Sequence, residues 1–181
     1  MTVKKIAFVI NGKGGVGKDA VCDAVATKWK TKNISSITPI KYLARQMGWS
    51  GAKDDRDRKF LSDLKQLLVD YCDLPQKYCL KMFKEFMDSE NEEIMFIHIR
   101  EPENIKRFIE STDYRCLSLL VKRKAVDGRE YGNKSDDNVE DYEYDYVYNN
   151  DKTLEEMPED VISFMNDVIN QEERKKYPHS F

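Results

Sequence analysis

The chain has 181 residues, 40% hydrophobic and 11% aromatic, which is enough to bury one core and predicts a single domain over residues 1–181. A formal net charge of -3 argues against a general nucleic-acid binder, because no excess positive field exists to neutralise many phosphates. No apolar run approaches the roughly 20 residues of a membrane helix, and no signal-peptide core opens the sequence, so a cytoplasmic protein with no membrane partner is expected.

In chain order, Val3 to Ile10 (VKKIAFVI) ends in a β-rich apolar run and predicts the first strand. The glycine-rich stretch Asn11 to Asp19 follows it, and then Val21, Ala24, Val25 and Lys28/Trp29 recur at helical spacing. Ile34 to Thr38 reads as a second short strand, with Pro39 opening a helix that runs through Met47. A charged turn from Lys53 to Asp57 leads into a long helix whose Phe60, Leu61, Leu64, Leu67, Leu68 and Tyr71 form an apolar stripe. Pro75 starts a further helix to Met87, with Tyr78, Met82, Phe83 and Phe86 facing inward.

Ile94 to Ile99 is a buried strand, followed by Arg100-Glu101-Pro102-Glu103 and a helix containing Ile105, Phe108 and Ile109. Cys116 to Val121 is another strand, ending in Lys122-Arg123-Lys124, and the polar run from Ala125 to Asp141 reads as a long loop. Tyr144 to Tyr148 alternates as an edge strand before a final helix, where Thr153 and Glu156 have capping-box spacing and Pro158 permits either a start at Thr153 or a restart at the proline. Cys22, Cys72, Cys79 and Cys116 are scattered with no C-x-x-C pair, so reduced thiols are expected, and with only His98 and His179 no structural zinc site. Alternating strands and helices imply a mostly parallel sheet covered on both faces, whose ligands bind beyond the carboxyl ends of the strands.

The stretch Gly12-Lys13-Gly14-Gly15-Val16-Gly17-Lys18-Asp19-Ala20 carries the chemistry. Gly12, Gly17 and Lys18 fit G-x-x-x-x-G-K, but Asp19 stands where a magnesium-ligating Ser or Thr is usual. Glycines let the backbone N–H groups turn toward phosphate oxygens, the helix N-terminus adds partial positive charge, and Lys18 supplies a mobile cation. ATP or GTP is therefore the first partner to consider, since strand, loop and helix stand in the required order. Asp19 reads either as a magnesium ligand, direct or through water, or as a carboxylate favoured by the helix dipole.

Arg100 ends a buried strand and can hold an acceptor phosphate or the charge of a transferring phosphoryl group, the alternative being a salt bridge to Glu101 or Glu103. Lys41, Arg45, Lys53, Arg56, Arg58, Lys59 and Lys65 form a basic helical region, with Arg45 and Arg58 foremost because guanidinium binds phosphate bidentately. No isolated carboxylate stands out as a general base for a hydroxyl acceptor, which favours an acceptor that is already anionic; Asp63 is the residue to watch otherwise. Tyr142 or Tyr144 can stack on a nucleobase or pack in an edge strand.

Together these residues resemble the P-loop nucleoside and nucleotide kinases, in the branch whose loop ends in G-K-D: phage-type deoxynucleoside monophosphate kinases and animal-type phosphomevalonate kinases. The likeness covers most of the chain, through Gly17-Lys18-Asp19, the Lys41 to Lys65 insert, Arg100, the polar stretch before Asp141, and Tyr144 to Asp151 with the Thr153 helix start. It implies a three-layer α/β kinase with a mostly parallel five-stranded sheet, a helical acceptor-binding region at about residues 40–88 and a lid at about 122–138. It implies magnesium with ATP as phosphoryl donor and a small phosphorylated acceptor, most simply a (deoxy)nucleoside monophosphate. Gly12 to Ala20 would hold the ATP phosphates, and Lys18, Arg100 and Arg123 would be catalytic, with Arg129, Lys122 and Lys124 as further lid cations. Lys41, Arg45, Arg58, Asp63, Lys65 and Arg100 would hold the acceptor, and Asp19 the metal. The resembled kinases often carry an Asp two residues before such an arginine, where this chain has His98.

Two rival readings remain. Lys13 to Lys18 also matches the loop of ParA and MinD type switch ATPases, in which the first lysine reaches a partner's nucleotide, and this brings in a homodimer. Asp19, the short chain, and a charged helical insert in place of an Asp-rich strand after the first helix stand against it. A catalytically degenerate nucleotide-binding regulator is the other, motivated by His98.

Overall fold

The computed structural model describes residues 5–52, 54–126 and 138–176. Five strands alternate with helices: β1 (Ile6–Asn11), α1 (Lys18–Ala26), β2 (Thr31–Ser35), α2 (Thr38–Gln46), α3 (Asp55–Cys72), α4 (Leu74–Asp88), β3 (Ile94–His98), α5 (Pro102–Ser111), β4 (Cys116–Lys122), β5 (Tyr146–Asn149) and α6 (Met157–Lys176). The sheet order is β2-β3-β1-β4-β5, and every pairing is parallel. β1 is thus central, with β3 on one side from Ile6↔Ile94 to Ile10↔His98 and β4 on the other from Ala7↔Cys116 to Asn11↔Leu120. The chain order reverses on either side of β1, which opens a crevice at its carboxyl end.

A parallel sheet must be covered on both faces, and the period-2 alternation of its strands assigns each side chain to one of them. Phe8, Ile10, Phe96, Leu119 and Val121 pack with Val21 and Val25 of α1 and Val161 and Met165 of α6. On the opposite face, Ala7, Val9, Met95 and Ile97 pack with Cys79, Phe83 and Phe86 of α4 and Ile105 and Phe108 of α5. Those two layers around the sheet are the three-layer α/β arrangement expected from the sequence. Cys22, Cys72, Cys79 and Cys116 are all free thiols.

Three elements differ from the sequence reading. β2 lies at Thr31–Ser35 instead of Ile34 to Thr38. It is an edge strand of half-exposed polar residues, and the pairing of Ile34 with Ile97 and Ser35 with His98, not an apolar run, sets its position. α3 has no buried residue, and its Leu67 and Tyr71 are exposed, because it leans chiefly on α2 and α4 and not on the sheet. β5 begins at Tyr146, since Tyr144 is turned toward the end of β1. At the last helix, both features of the sequence are realised: Thr153 and Glu156 exchange capping-box bonds in a turn that leads into α6, whose second residue is Pro158.

The insert is joined to the core at a tight corner between α3 and α4. Asp73 adopts φ 53° there, a left-handed conformation that non-glycine residues rarely take. Its carboxylate is held in a two-point pair by the Arg107 guanidinium of α5 at 3.0 and 3.0 Å. Asp73→Ala should lower the unfolding free energy by about 1–2 kcal/mol, through lost backbone tolerance and a partly exposed ion pair, while Asp73→Asn should lose about half as much. Urea denaturation of the two variants beside the parent measures both.

Candidate functional site

The end of β1 decides the shape of the glycine-rich loop. Gly12 has φ +151°, and a Cβ there would lie 2.4 Å from the Val121 carbonyl oxygen and 2.9 Å from Val16 Cγ2, so no side chain fits. Gly17 has φ +89°, and a Cβ there would lie 2.6 Å from Asn150 Nδ2, which itself donates to the Val16 carbonyl at 2.8 Å. Asn150 is buried at the end of β5 and closes the loop from that side. The Lys18 ammonium folds back to donate to the Gly12 carbonyl and to the Lys13 carbonyl at 3.1 Å. α1 starts at Lys18, so its N-terminus lies at the loop that an anion would enter.

Gly14 is half-exposed, Gly15 and Asp19 are exposed, and Ala20 is partly buried on the first turn of α1. Asp19 offers one carboxylate beside the phosphate loop. Among the described residues no group of three or more His, Cys, Asp or Glu gathers to hold a metal. That donor set fits magnesium carried on nucleotide phosphates with one protein carboxylate, the usual way this hard cation is bound, and does not fit a cage made by the protein alone.

β3 brings its end to the same crevice. His98 continues the Phe96 row toward α1, with Nε2 2.8 Å from Asn33 Oδ1 of β2 and 3.9 Å from the Cys22 Sγ. Burial lowers the His98 pKa, the charges of Lys18 and Arg100 add to that, and Asp19 opposes it. The ring is therefore neutral at physiological pH, with the Nε2 proton given to Asn33. Burial together with Asp19 and Asp23 pushes the Cys22 thiol up to about 12, so it is an inert neighbour. Arg100 is exposed just beyond β3, and its carbonyl is held by Asn11.

On the other side, β4 carries Lys122 and Arg123 to a pocket of about 200 Å3 shared with Lys13, Val16, Val126 and Glu140. Glu140 accepts from Lys122 at 2.8 Å and lies 3.8 Å from Lys13. The Lys122 hydrogen bond keeps its pKa low. Most of the expected lid, including Arg129, falls outside the described residues.

The acceptor candidates separate into two groups. Lys65 of α3 meets Glu101 at 2.5 Å, one residue beyond Arg100, and Asn104 donates to the same carboxylate at 3.4 Å. Burial alone would raise the Glu101 pKa, but the hydrogen bond and charge of Lys65 outweigh it and lower it. These residues wall a solvent-open cleft of about 320 Å3 with Ser36, Gln76 and Arg107. Lys41, Arg45, Arg58 and Asp63 do not line it. All four are exposed on α2 and α3, where Arg58 faces Asp55 at 3.8 Å and Asp63 takes Lys59 at 2.7 Å. Tyr142 and Tyr144 pack edge to face with centroids 5.0 Å apart, against the α4/α5 side of the core.

Asn11, Asn150 and Tyr144 hold the site together, and the sequence reading did not assign them this role. The available signal was a polar residue closing an apolar strand directly before the first glycine, and a second asparagine closing β5.

No protein-family profile matches the chain, and no curated protein does. Solved structures do match. An unliganded sugar kinase from Janibacter sp. HTCC2649 is 15% identical with a TM-score of 0.51, over 90% of this chain and 95% of that one. A protein from Chloroflexus aurantiacus j-10-fl described as a kinase is 11% identical with a TM-score of 0.52, over 94% and 99%. At such identities the likeness concerns the fold alone, a P-loop kinase-like arrangement of a five-stranded parallel sheet between helical layers.

Proposed function

We propose that the protein transfers the γ-phosphoryl group of ATP, with magnesium, to a small phosphorylated acceptor, most simply a (deoxy)nucleoside monophosphate. The observation that carries this reading is Lys18, turned onto its own loop carbonyls at the reversal point of the sheet, between the strand ends that bear Arg100 and Arg123. Phosphate oxygens entering the loop would replace the Gly12 and Lys13 carbonyls as acceptors for Lys18, while loop and first-turn N–H groups take the remaining charge. Asp19, exposed beside the loop, would hold magnesium or its water, and the metal would supply positive charge against the phosphates. Arg100 and Arg123, from opposite sides, suit the acceptor phosphate and the transferring group.

An anionic acceptor is supported by how the nearby carboxylate is occupied. Glu101 is taken by Lys65 and Asn104 and is not poised to remove a hydroxyl proton. The Lys65–Glu101 cleft beside Arg100 suits the body of that acceptor. Lys13 is held by Glu140 of its own chain, which favours a kinase over a dimerising switch in which that lysine serves a partner's nucleotide.

A coupled assay across ribo- and deoxynucleoside monophosphates, with phosphomevalonate included, should give turnover with ATP and magnesium for one of them and none with chelator. Nucleotide-driven dimerisation with hydrolysis and no acceptor product would select the switch reading instead. Lys18→Ala should lower kcat by roughly 100-fold or more. Retained turnover in that variant would remove the loop from the chemistry. Arg100→Ala should lower kcat by about 100-fold while the KM for ATP stays within about threefold, because the loss falls on acceptor and transition state. Steady-state kinetics with each substrate varied separates the two.

A further inference from the structure

Asn11 ends β1 with 0% of its surface exposed, and a buried carboxamide is costly unless its groups are met. Its Oδ1 accepts from the Gly12 N–H at 2.9 Å, and its Nδ2 donates to the Arg100 carbonyl at 2.9 Å and to the Tyr144 hydroxyl at 2.9 Å. The Tyr144 hydroxyl in turn donates to the Val139 carbonyl at 2.8 Å, next to the Glu140 that faces Lys13 and Lys122. Three segments far apart in sequence, the start of the glycine loop, Arg100 and Tyr144, thus meet at one side chain. The ladder between β1 and β3 ends at the pair Ile10 and His98, so the Arg100 carbonyl lies beyond any strand bond to β1.

The chemistry of the position is narrow. It needs a short side chain that presents one acceptor and two donors at its tip. Aspartate has the shape but no donor, and would set a negative charge against the Arg100 carbonyl. Serine and threonine have a single proton to give. Leucine would remove all three bonds, including the buried one from the Gly12 N–H. Tyr144 is suited to its place in the chain of bonds, since burial pushes its hydroxyl up to about 12 and keeps the proton on it.

We propose that Asn11 is a positioning residue whose carboxamide ties the first amide of the phosphate loop, the backbone of Arg100 and the Tyr144 hydroxyl into one unit, so that the nucleotide and acceptor sites are set together. Gly12 begins the loop that Lys18 closes, and Arg100 carries the guanidinium assigned above to acceptor or transferring group; the inference rests on that assignment. A displacement of either backbone is transmitted to the other through a single group, which is a physical connection between two sites and not mere proximity.

The test uses the full chain and two variants. Tyr144→Phe removes one partner of Nδ2 and leaves Asn11 in place; Asn11→Asp keeps the shape and removes both donors. Circular dichroism and urea denaturation give the folded fraction of each. In Tyr144→Phe, affinity for a non-hydrolysable ATP analogue, measured by calorimetry on folded protein, should fall about fivefold although the hydroxyl lies outside the phosphate loop. In Asn11→Asp, adding Arg100→Ala should cost at least tenfold less in kcat than it costs in the parent, because the arginine is already misplaced. A residue that only supports the fold would lower kcat in proportion to the folded fraction and leave the Arg100→Ala cost unchanged. Analogue affinity within twofold of the parent in Tyr144→Phe overturns the proposal, as do losses from Asn11→Asp and Arg100→Ala that simply multiply. Absence of transfer to every acceptor would remove the proposed kinase function, and the analogue arm would then decide the coupling of Asn11 to the loop by itself.

Discussion

Where Gly12 passes the Val121 carbonyl there is room for backbone and nothing else, since a methyl group at Gly12 would stand 2.4 Å from that oxygen. The approach is possible because β1 and β4 are parallel neighbours in full register up to Asn11 and Leu120, and the chain must leave the sheet at that point. Everything at the site follows from the exit. The loop can close under Lys18 because its first residue lies against β4, and Gly17 can close it from the far side because Asn150 lies against it. The same constraint fixes the directions from which Arg100 and Arg123 approach, as they end the strands on either side.

Much of this was legible in the sequence, and the reason is locality. Glycine spacing, a following lysine, and strand and helix patterns on either side are all read within about thirty residues, and the apolar runs of β1, β3 and β4 announce a doubly covered sheet. Where a signal depends on the partner, it failed. β2 is Thr-Lys-Asn-Ile-Ser, which becomes a strand only because β3 lies beside it. The apolar stripe of α3 is a sound helical pattern, but periodicity says which residues share a face and not whether a layer covers it. Asn11 meets Arg100 and Tyr144 across 89 and 133 residues, and Asn150 meets Val16 across 134, separations that no window along the chain can see.

The charges around the site follow one scheme. A chain with net charge -3 still gathers Lys13, Lys18, Lys122, Arg100 and Arg123 at the carboxyl edge of its sheet. Several of these cations are held by nearby acceptors: loop carbonyls for Lys18, and Glu140 for Lys13 and Lys122. Such partners keep the cations oriented and reduce their mutual repulsion, and on the proposed function an arriving phosphate would take their place. His98 fits the same scheme, because a neutral ring beside Lys18 and Arg100 adds no further positive charge where cations already gather.

The contrast between α3 and its neighbours bears on how the molecule opens. α4 is nailed to the sheet by Cys79, Phe83 and Phe86, and its first residues are tied to α5 through Asp73 and Arg107. α3 buries nothing fully and ends at that same pinned corner. It is therefore the part of the insert that can lift with the least free energy, swinging from a fixed carboxyl end while the sheet stays shut. Its backbone amides would then exchange with solvent long before those of β1, β3 and β4, on the side where Lys65 lines the cleft.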